Sequence, residues 1–207
     1  MPAKEFRLES LSGLELINIK GEVAEYRGRR AVRLLKPENY DKAAYAEKEP
    51  LAILNGTDFQ DGTIEVEVAG MPAAGAPADA RGFIGIAFRV AGHGEKFECF
   101  YLRPTNGRAE DQLRRNHSVQ YMSIPDYPWN RLRAENPGAY ESYADMEAGA
   151  WTKIKIVVAG TKAQLYVNGA AEPCLIVNDL KLGESRGQIA LWTSVETDGY
   201  FSNLTVK

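Results

Sequence analysis

Cysteine and histidine are scarce in this 207-residue sequence, which has two of each. A metal site built from four cysteines is therefore excluded. Cys99 and Cys174 both lie inside apolar runs, so we expect buried free thiols rather than a disulfide. No run approaches the ~18 consecutive apolar residues that a membrane-spanning helix needs, and we expect no membrane partner.

The charge balance and the first residues bear on partners and location. A net charge of -3 creates no overall field that would attract nucleic acid, so we expect no nucleic-acid partner. Residues 1–10 are charged from the start and lack the apolar run of roughly 7–15 residues found in a secretory signal. On this ground we expect a cytoplasmic protein, or a secreted or periplasmic one if a signal has been removed. The oligomeric state stays open.

Short segments that alternate apolar and polar residues recur along the chain, with turn residues between them. This pattern predicts an all-β fold, a sandwich or a barrel, with little helix. The predicted helical turns are residues 109–115 and 129–135. The predicted strands are residues 14–20, 23–26, 31–35, 51–54, 63–68, 83–90, 96–103, 118–123, 151–158, 163–167, 175–177, 187–193 and 200–206.

Two of these segments also suggest a pairing. Glu65 and Glu67 alternate with β-branched residues in one, and Lys153 and Lys155 do so in another. Opposite charges attract across neighbouring strands, so we expect the two segments to be neighbours. Asn168 and Gly169 are typical of a tight hairpin turn, which predicts a three-stranded meander that begins at residue 151.

Polar chemistry is concentrated in the middle of the chain. Residues 100–108, 114–121 and 129–133 bring together arginines, aromatic residues, amides and a histidine. Such side chains stack on, and hydrogen-bond to, polyhydroxylated or anionic ligands. The region therefore indicates a binding surface, although no catalytic signature accompanies it.

A series of motifs resembles a known superfamily. In chain order they are FIGIAFR (83–89), KFECFY (96–101), WTKIKIVV (151–158), LYVNG (165–169), GQIALW (187–192) and GYFSNLTV (199–206). Together they resemble the concanavalin A-like lectin/glucanase superfamily, and within it laminin-G-like domains and bacterial domains related to keto-disaccharide hydrolases. The resemblance covers roughly residues 58–207.

The resemblance implies a two-sheet antiparallel jelly-roll sandwich, with a sugar site on the concave face of one of the sheets. We therefore expect a single β-sandwich domain over residues 1–207, with residues 104–141 as a long loop insertion over that face. The expected function is carbohydrate binding in a groove on the concave sheet, with a carbohydrate or a sugar acid as ligand. A protein-interaction module is a further alternative.

The register of one hairpin decides which residues line the groove. The favoured register places Arg89 opposite Glu98, on one face with Ala87 and Gly85, whose small size would leave room for a ligand. A slip of one residue would instead place Cys99, Tyr101 and Arg103 on that face. The pair of Arg89 and Glu98 either orients a sugar hydroxyl or only stabilises the sheet.

The candidate ligand-binding residues share polar or aromatic side chains near this groove. They are Arg89, Glu98, Tyr101, Arg103, Asn106, His117, Gln120, Tyr121, Trp129 and Arg131. Gln120 and Tyr121 are adjacent on a strand, so only one of them can face the groove. Trp129 is either a stacking platform for a sugar ring or part of a loop that packs on the sandwich edge. We expect Trp192 to lie in the core.

A glycoside-cleaving enzyme, hydrolase or lyase-like, is the alternative function. Its candidate catalytic residues are Glu98, His117, Tyr121 and Glu141, with arginines holding an anionic group. The acidic pattern of the retaining glucanases of the superfamily does not occur in the sequence. Asp111, Asn106 and Asp126 are a loose match to the calcium ligands of laminin-G-like domains, so calcium is only weakly supported, and we expect no metal or other cofactor.

Overall fold

A computed structural model describes residues 3–43 and 48–207. Within these ranges the chain forms two antiparallel sheets with little helix, which confirms the predicted all-β sandwich. In chain order the elements are β1 (Lys4–Phe6), β2 (Leu14–Ile17), β3 (Lys20–Tyr26), β4 (Arg29–Leu35), β5 (Leu51–Phe59), β6 (Gly62–Pro72), β7 (Ile84–Ala91), β8 (Lys96–Leu102), α1 (Gln112–Asn116), β9 (Val119–Ile124), α2 (Trp129–Glu135), β10 (Glu141–Ser142), β11 (Thr152–Ala159), β12 (Lys162–Val167), β13 (Leu175–Val177), β14 (Gly187–Thr193) and β15 (Thr197–Val206).

The strands divide into two sheets, which we call sheet A and sheet B. In the described residues, sheet A has the order β13-β12-β11-β6-β15-β4-β3, with β1 paired to β15. Sheet B has the order β10-β9-β8-β7-β14-β5-β2. Side chains alternate between the two faces of each strand, so each sheet has an inner face toward the other sheet and an outer face away from it.

The predicted strand pairing in sheet A is confirmed. Lys153 lies opposite Glu67, and Lys155 lies opposite Glu65, where β11 pairs with β6. The meander of β11, β12 and β13 is also present, and its turn has Asn168 at φ 53° and Gly169 at φ 74°. Glycine favours this left-handed conformation and asparagine tolerates it, which explains why this dipeptide forms the turn.

The predicted single strand over residues 14–20 is wrong. It splits at Asn18, whose φ of 53° breaks the extended backbone. β2 pairs with β5 in sheet B, whereas β3 pairs with β4 in sheet A. The chain therefore crosses from one sheet to the other within three residues. The short strands β1 and β10 were not predicted.

The main core lies between the two sheets. It is built from the inward residues of both sheets, such as Ile64, Val66, Ile86, Phe100 and Leu191, which are at most 1% exposed. Burial of a large aliphatic or aromatic side chain contributes roughly 1.5–3 kcal/mol, so this layer is the main stabilising feature of the sandwich.

Sheet B is buried on its outer face as well. A second apolar cluster lies there, and its members include Leu51, Ile53, Phe97, Cys99 and Trp192. β7 and β8 are thus covered on both faces, which explains why their sequences are almost continuously apolar. Trp192 is 4% exposed within this cluster, so it is buried in a core, as expected.

The favoured register of the hairpin from β7 to β8 is wrong. Phe88 lies opposite Glu98, and Ala87 lies opposite Cys99, which is the alternative arrangement. A β-bulge follows Phe88, with Arg89 at φ 55°. The extra residue in a bulge redirects the side chains that follow it, so Arg89 leaves the face of Gly85 and Ala87.

Gly85 does not leave room for a ligand. It lies opposite Tyr101, and a Cβ atom at Gly85 would come within 2.6 Å of the Tyr101 Cα and Cβ atoms. The space beside this glycine is therefore taken up by the neighbouring strand.

Residues 104–141 are only in part a loop. β9 pairs with β8 and β10 pairs with β9, so both belong to sheet B. The remaining parts of the segment hold a short 3₁₀ helix at Pro104–Asn106 and the two short helices α1 and α2. None of the helices described here has the length and apolar character to span a bilayer.

Candidate ligand site at the end of strand β8

The site is built on three neighbouring strands of sheet B. Tyr101 on β8, Gln120 on β9 and Glu141 on β10 lie side by side, because Tyr101 pairs with Gln120 and Gln120 pairs with Glu141. Directly paired residues point to the same face of a sheet. This face is the outer one, since Tyr101 packs in the outer apolar cluster.

Arg103 follows β8 and lies at the centre of this group. Its Nη2 donates to the hydroxyl of Tyr101 at 2.9 Å and to Oε1 of Gln120 at 3.1 Å, and its Nη1 donates to the carbonyl of His117 at 3.1 Å. Arg103 also lies over the rings of Phe83 and Trp129, 5.5 and 5.6 Å from their centroids. These contacts fix a buried guanidinium among aromatic faces.

Three cationic or ionisable groups converge on the carboxylate of Glu141. The Nη2 of Arg133 donates to Glu141 Oε2 at 2.6 Å, and its Nε lies 3.1 Å from both oxygens. Arg103 Nη1 is 3.8 Å from Oε2, and His117 Nδ1 is 2.7 Å from it without hydrogen-bond alignment. One buried carboxylate therefore has more positive partners than it can neutralise.

The two short helices bring further side chains to the site. Asp111 caps α1 by accepting from the backbone N–H of Arg114 at 3.1 Å. Arg114 then reaches back to Asn106, with its Nε donating to Oδ1 at 2.8 Å, and Asn106 donates to the carbonyl of His117 at 3.2 Å. α2 begins at Trp129, directly after Pro128, and places Trp129 and Arg133 one turn apart.

These groups surround a cavity of about 780 Å³, which we call the arginine cavity. Its wall contains four arginines and three rings, namely Arg81, Arg103, Arg114, Arg133, Phe83, Trp129 and His117. Trp129 remains 42% exposed, so part of its ring is accessible from the cavity rim. The volume of the arginine cavity falls within the range of roughly 300–1,000 Å³ that is typical of ligand sites.

Two of the arginines form no ion pair within the part of the chain that the structure describes. Among the residues that the structure describes, neither Arg81 nor Arg114 has a carboxylate within ion-pair distance. Arg81 donates through Nη1 to the carbonyls of Ala78 and Ala80, at 3.3 and 3.2 Å. Burial and the nearby charges of Arg114 and Arg103 lower the pKa of Arg81 from its ordinary value, whereas Asp79 acts in the opposite direction. An anion placed here would relieve the repulsion between these cations.

The cavity wall contains three acids, of which Asp79 acts electrostatically on Arg81 and the other two have partners of their own. Asp111 caps α1, and Glu196 lies 3.7 Å from Lys36. The arrangement can therefore accept an anionic group at Arg81 and Arg114, and it can stack a ring on the exposed part of Trp129.

Several of the predicted ligand-binding residues meet at this site. Arg103, Asn106, His117 and Trp129 line the cavity, and Tyr101 and Gln120 lie beneath Arg103. Of the candidate catalytic residues, His117 and Glu141 are in contact here. Gln120 faces outward and Tyr121 inward, so only one of the two supports the site, as expected.

Glu98 and Tyr121 lie on the inner face of sheet B instead. The Tyr121 hydroxyl donates to Glu98 Oε2, and the backbone N–H of Leu182 donates to Glu98 Oε1 at 2.7 Å. Burial raises the pKa of Glu98, and these two hydrogen bonds oppose the rise. The pair holds the 181–182 segment against the core and does not reach the arginine cavity.

Arg89 is also remote from the site. It is 1% exposed, and its guanidinium donates to the carbonyls of Gln60, Gly160 and Gly183. Because the bulge in β7 turns it away from the outer face, it connects three loops at one end of the sandwich. None of these hydrogen bonds joins Arg89 to Glu98, which is the pair that the favoured register predicted.

Arg131 points away from the cavity. It pairs with Glu135 at 2.7 Å and donates to the carbonyl of Asp126 at 2.7 Å. Asp126, one of the three residues that loosely match calcium ligands, therefore lies near the start of α2. The other two, Asp111 and Asn106, contact Arg114 instead. In the described part of the chain, no cluster of three or more acidic, histidine or cysteine side chains has a metal-binding arrangement.

Arg81 and Phe83 were missed from the sequence. Arg81 ends a segment rich in alanine, glycine and proline, which suggests only a surface loop. The backbone of this segment is tied to the site, since the N–H of Thr105 donates to the carbonyl of Arg81 at 3.4 Å. Arg114 and Arg133, by contrast, belong to the arginine-rich segments 114–121 and 129–133, which the sequence indicates as a binding surface.

Solved structures share this architecture at very low sequence identity. A carbohydrate-binding module, CBM66, from Bacillus subtilis is 12% identical with a TM-score of 0.58, over 94% of this chain and 96% of that one. A Bacillus subtilis protein with a galectin-like fold is 12% identical with a TM-score of 0.60, over 98% and 94%. Domain 4 of the extracellular arabinanase AbnA from Geobacillus stearothermophilus, in complex with arabinotriose, is 12% identical with a TM-score of 0.50, over 99% and 81%.

The chain has a concanavalin A-like fold, a sandwich of two antiparallel sheets. This confirms the fold that the sequence motifs implied. No family model matches the sequence, and no curated protein is similar to it. At this level of identity the similarity establishes the concanavalin A-like architecture and not the activity.

Proposed function

We propose that the protein binds carbohydrate in the arginine cavity on the outer face of sheet B, and that the sugar carries a carboxylate. The observation that carries this proposal is the pair of guanidinium groups, Arg81 and Arg114, that line one cavity and form no ion pair among the described residues. Arginine binds carboxylates through charge-assisted hydrogen bonds, which are about twice as strong as neutral ones.

The aromatic residues of the cavity support a sugar rather than a small inorganic anion. Phe83 and the partly exposed Trp129 both lie close to Arg103, with ring centroids 5.5 and 5.6 Å from its guanidinium carbon. Aromatic faces pack against the apolar C–H faces of sugar rings, while amides and arginines bind the hydroxyls. The solved structures of the same fold include a carbohydrate-binding module and a domain in complex with arabinotriose, which is consistent with a carbohydrate ligand.

The geometry favours binding over cleavage by the two candidate glutamates. Glu141 lies on the outer face of sheet B, and Glu98 lies on its inner face with 0% exposure. Glycoside hydrolysis generally needs two carboxylates that face the same bond, about 5–10 Å apart. Glu98 cannot take part in such a pair without leaving the core.

Calorimetric titration with matched pairs of sugars tests the proposal. We expect glucuronic and galacturonic acid to bind the wild-type protein, and glucose and galactose to bind at least tenfold more weakly. Arg114→Gln and Arg81→Gln should each weaken binding of the acid by roughly 10–100-fold, since a hydrogen bond to a charged group contributes about 1.5–3 kcal/mol. Arg186→Gln is the matched control, because Arg186 pairs with Asp58 away from the cavity.

Equal affinity for acidic and neutral sugars would refute the carboxylate part of the proposal. Absence of binding to any sugar in a broad glycan array, with wild-type protein shown to be folded, would refute the proposal as a whole.

A further inference from the structure

A second cavity lies on the same face of sheet B. Its volume is about 600 Å³, and its wall includes Asn18, Lys48, Glu49, Lys96 and Ser194. Ser194 also lines the arginine cavity. The two cavities therefore border each other at the end of β14.

A row of rings leads from one cavity to the other. Phe83, in the wall of the arginine cavity, has its centroid 5.7 Å from that of Tyr101, and Tyr101 is 4.8 Å from Trp192. The indole N–H of Trp192 then donates to Glu49 Oε2 at 3.0 Å, in the wall of the second cavity. Tyr101 and Trp192 are 1% and 4% exposed, so these rings lie buried beneath the surface between the two cavities.

The second cavity differs from the first in its charge. Lys48 and Lys96 are balanced by Glu49 and Glu95, so the wall offers both donors and acceptors without an excess of either sign. Such a surface suits a neutral, hydroxyl-rich group, because each hydroxyl can donate to a carboxylate and accept from an ammonium group.

Glu49 is the acceptor that such a group would use. Burial raises its pKa, and the hydrogen bond from Trp192 opposes the rise. A carboxylate has about four lone-pair positions, so the indole N–H leaves positions for sugar hydroxyls.

We infer that this second cavity is a subsite for a neutral sugar unit, so that the ligand is an acidic oligosaccharide of at least two units. The acidic unit would lie in the arginine cavity, and the neutral unit would bind beside Glu49. This inference rests on the proposed function, and it adds the chain length and the composition of the ligand.

Titration with glucuronic acid and with disaccharides that join glucuronic acid to a neutral sugar tests the inference. We expect at least one such disaccharide to bind at least tenfold more tightly than the free acid. Glu49→Gln, which retains an acceptor for Trp192, and Lys96→Ala, at an exposed position, should reduce this gain and leave the affinity for the free acid unchanged. Glu25→Gln, exposed on sheet A, is the matched control.

The outcomes separate the two proposals. If the free acid binds and every disaccharide binds with the same affinity, the second subsite is refuted while the proposed function stands. If Glu49→Gln and Lys96→Ala, with circular dichroism unchanged, retain the full gain, the assignment to this cavity is refuted. If neither acid nor disaccharide binds, the proposed function fails and the subsite fails with it.

Discussion

Replacement of Glu141 by glutamine tests the electrostatic balance of the site. In the wild-type protein this carboxylate, with its side chain 3% exposed, faces Arg133 at 2.6 Å and Arg103 at 3.8 Å. The substitution keeps the shape but removes the charge, so two guanidinium groups remain close together without their shared counter-ion. Loss of one partner from a fully buried ion pair costs about 3–5 kcal/mol.

The expected loss here is smaller, because the Arg133 side chain is 33% exposed and glutamine keeps one acceptor oxygen. We expect the free energy of unfolding to fall by about 2–4 kcal/mol. For a chain of this size, such a loss lowers the melting temperature by roughly 4–16 °C. Chemical and thermal denaturation followed by circular dichroism would measure both quantities.

Glu135→Gln provides the control, on helix α2, which also carries Arg133. Glu135 forms an exposed i,i+4 pair with Arg131, and its loss should cost only about 0.3–0.5 kcal/mol. Glu141→Gln should also strengthen binding of an acidic sugar, because a nearby negative charge is removed. A stability loss no larger than that of Glu135→Gln would refute the view that Glu141 neutralises the buried arginines.

Three further predictions concern groups outside the arginine cavity. Burial raises the pKa of Glu98 above its usual value of 4.5, so the folded state still holds a proton at a pH where the unfolded state has released it. The stability of the wild-type protein should therefore fall as pH rises above about 4.5. Glu98→Gln should flatten this slope in denaturation curves taken between pH 4 and 8, and an unchanged slope would contradict the assignment. Arg89→Met should lower the free energy of unfolding by about 3–5 kcal/mol in denaturation assays, because it leaves three loop carbonyls unpaired. A refolded Arg89→Met protein that has lost its affinity for sugar would argue against a purely structural role. Burial raises the pKa of the Cys174 thiol to about 11 and raises that of the fully buried Cys99 well above its usual value. Cys174 should therefore react slowly with a thiol reagent at pH 7.5, and Cys99 should react only when the protein unfolds. Rapid labelling of either cysteine in the native protein would contradict this.

Much of the fold could be predicted because the strand patterns are local. The alternation of Glu65 and Glu67, and of Lys153 and Lys155, indicates both the faces of β6 and β11 and their pairing. The bulge at Arg89 could not be predicted in this way, because it interrupts the period of two without a glycine at that position. That single irregularity moved Arg89 away from the predicted groove.

The site could be predicted only in part, because some of its residues lie in the arginine-rich part of the chain and others come from distant segments. Arg103, His117 and Trp129 lie in the arginine-rich part of the chain, where composition alone indicates binding. Arg81 and Glu49 come from distant segments that the sandwich topology brings to the same face. No local pattern relates them to Arg103, so only the tertiary structure reveals the full cavity wall.

A crystal structure of the protein with a bound sugar acid would test the central claim most directly. We predict that the carboxylate lies between the guanidinium groups of Arg81 and Arg114, with the sugar ring against Trp129. A ligand bound on sheet A, or one whose carboxylate points into solvent away from these arginines, would contradict the account.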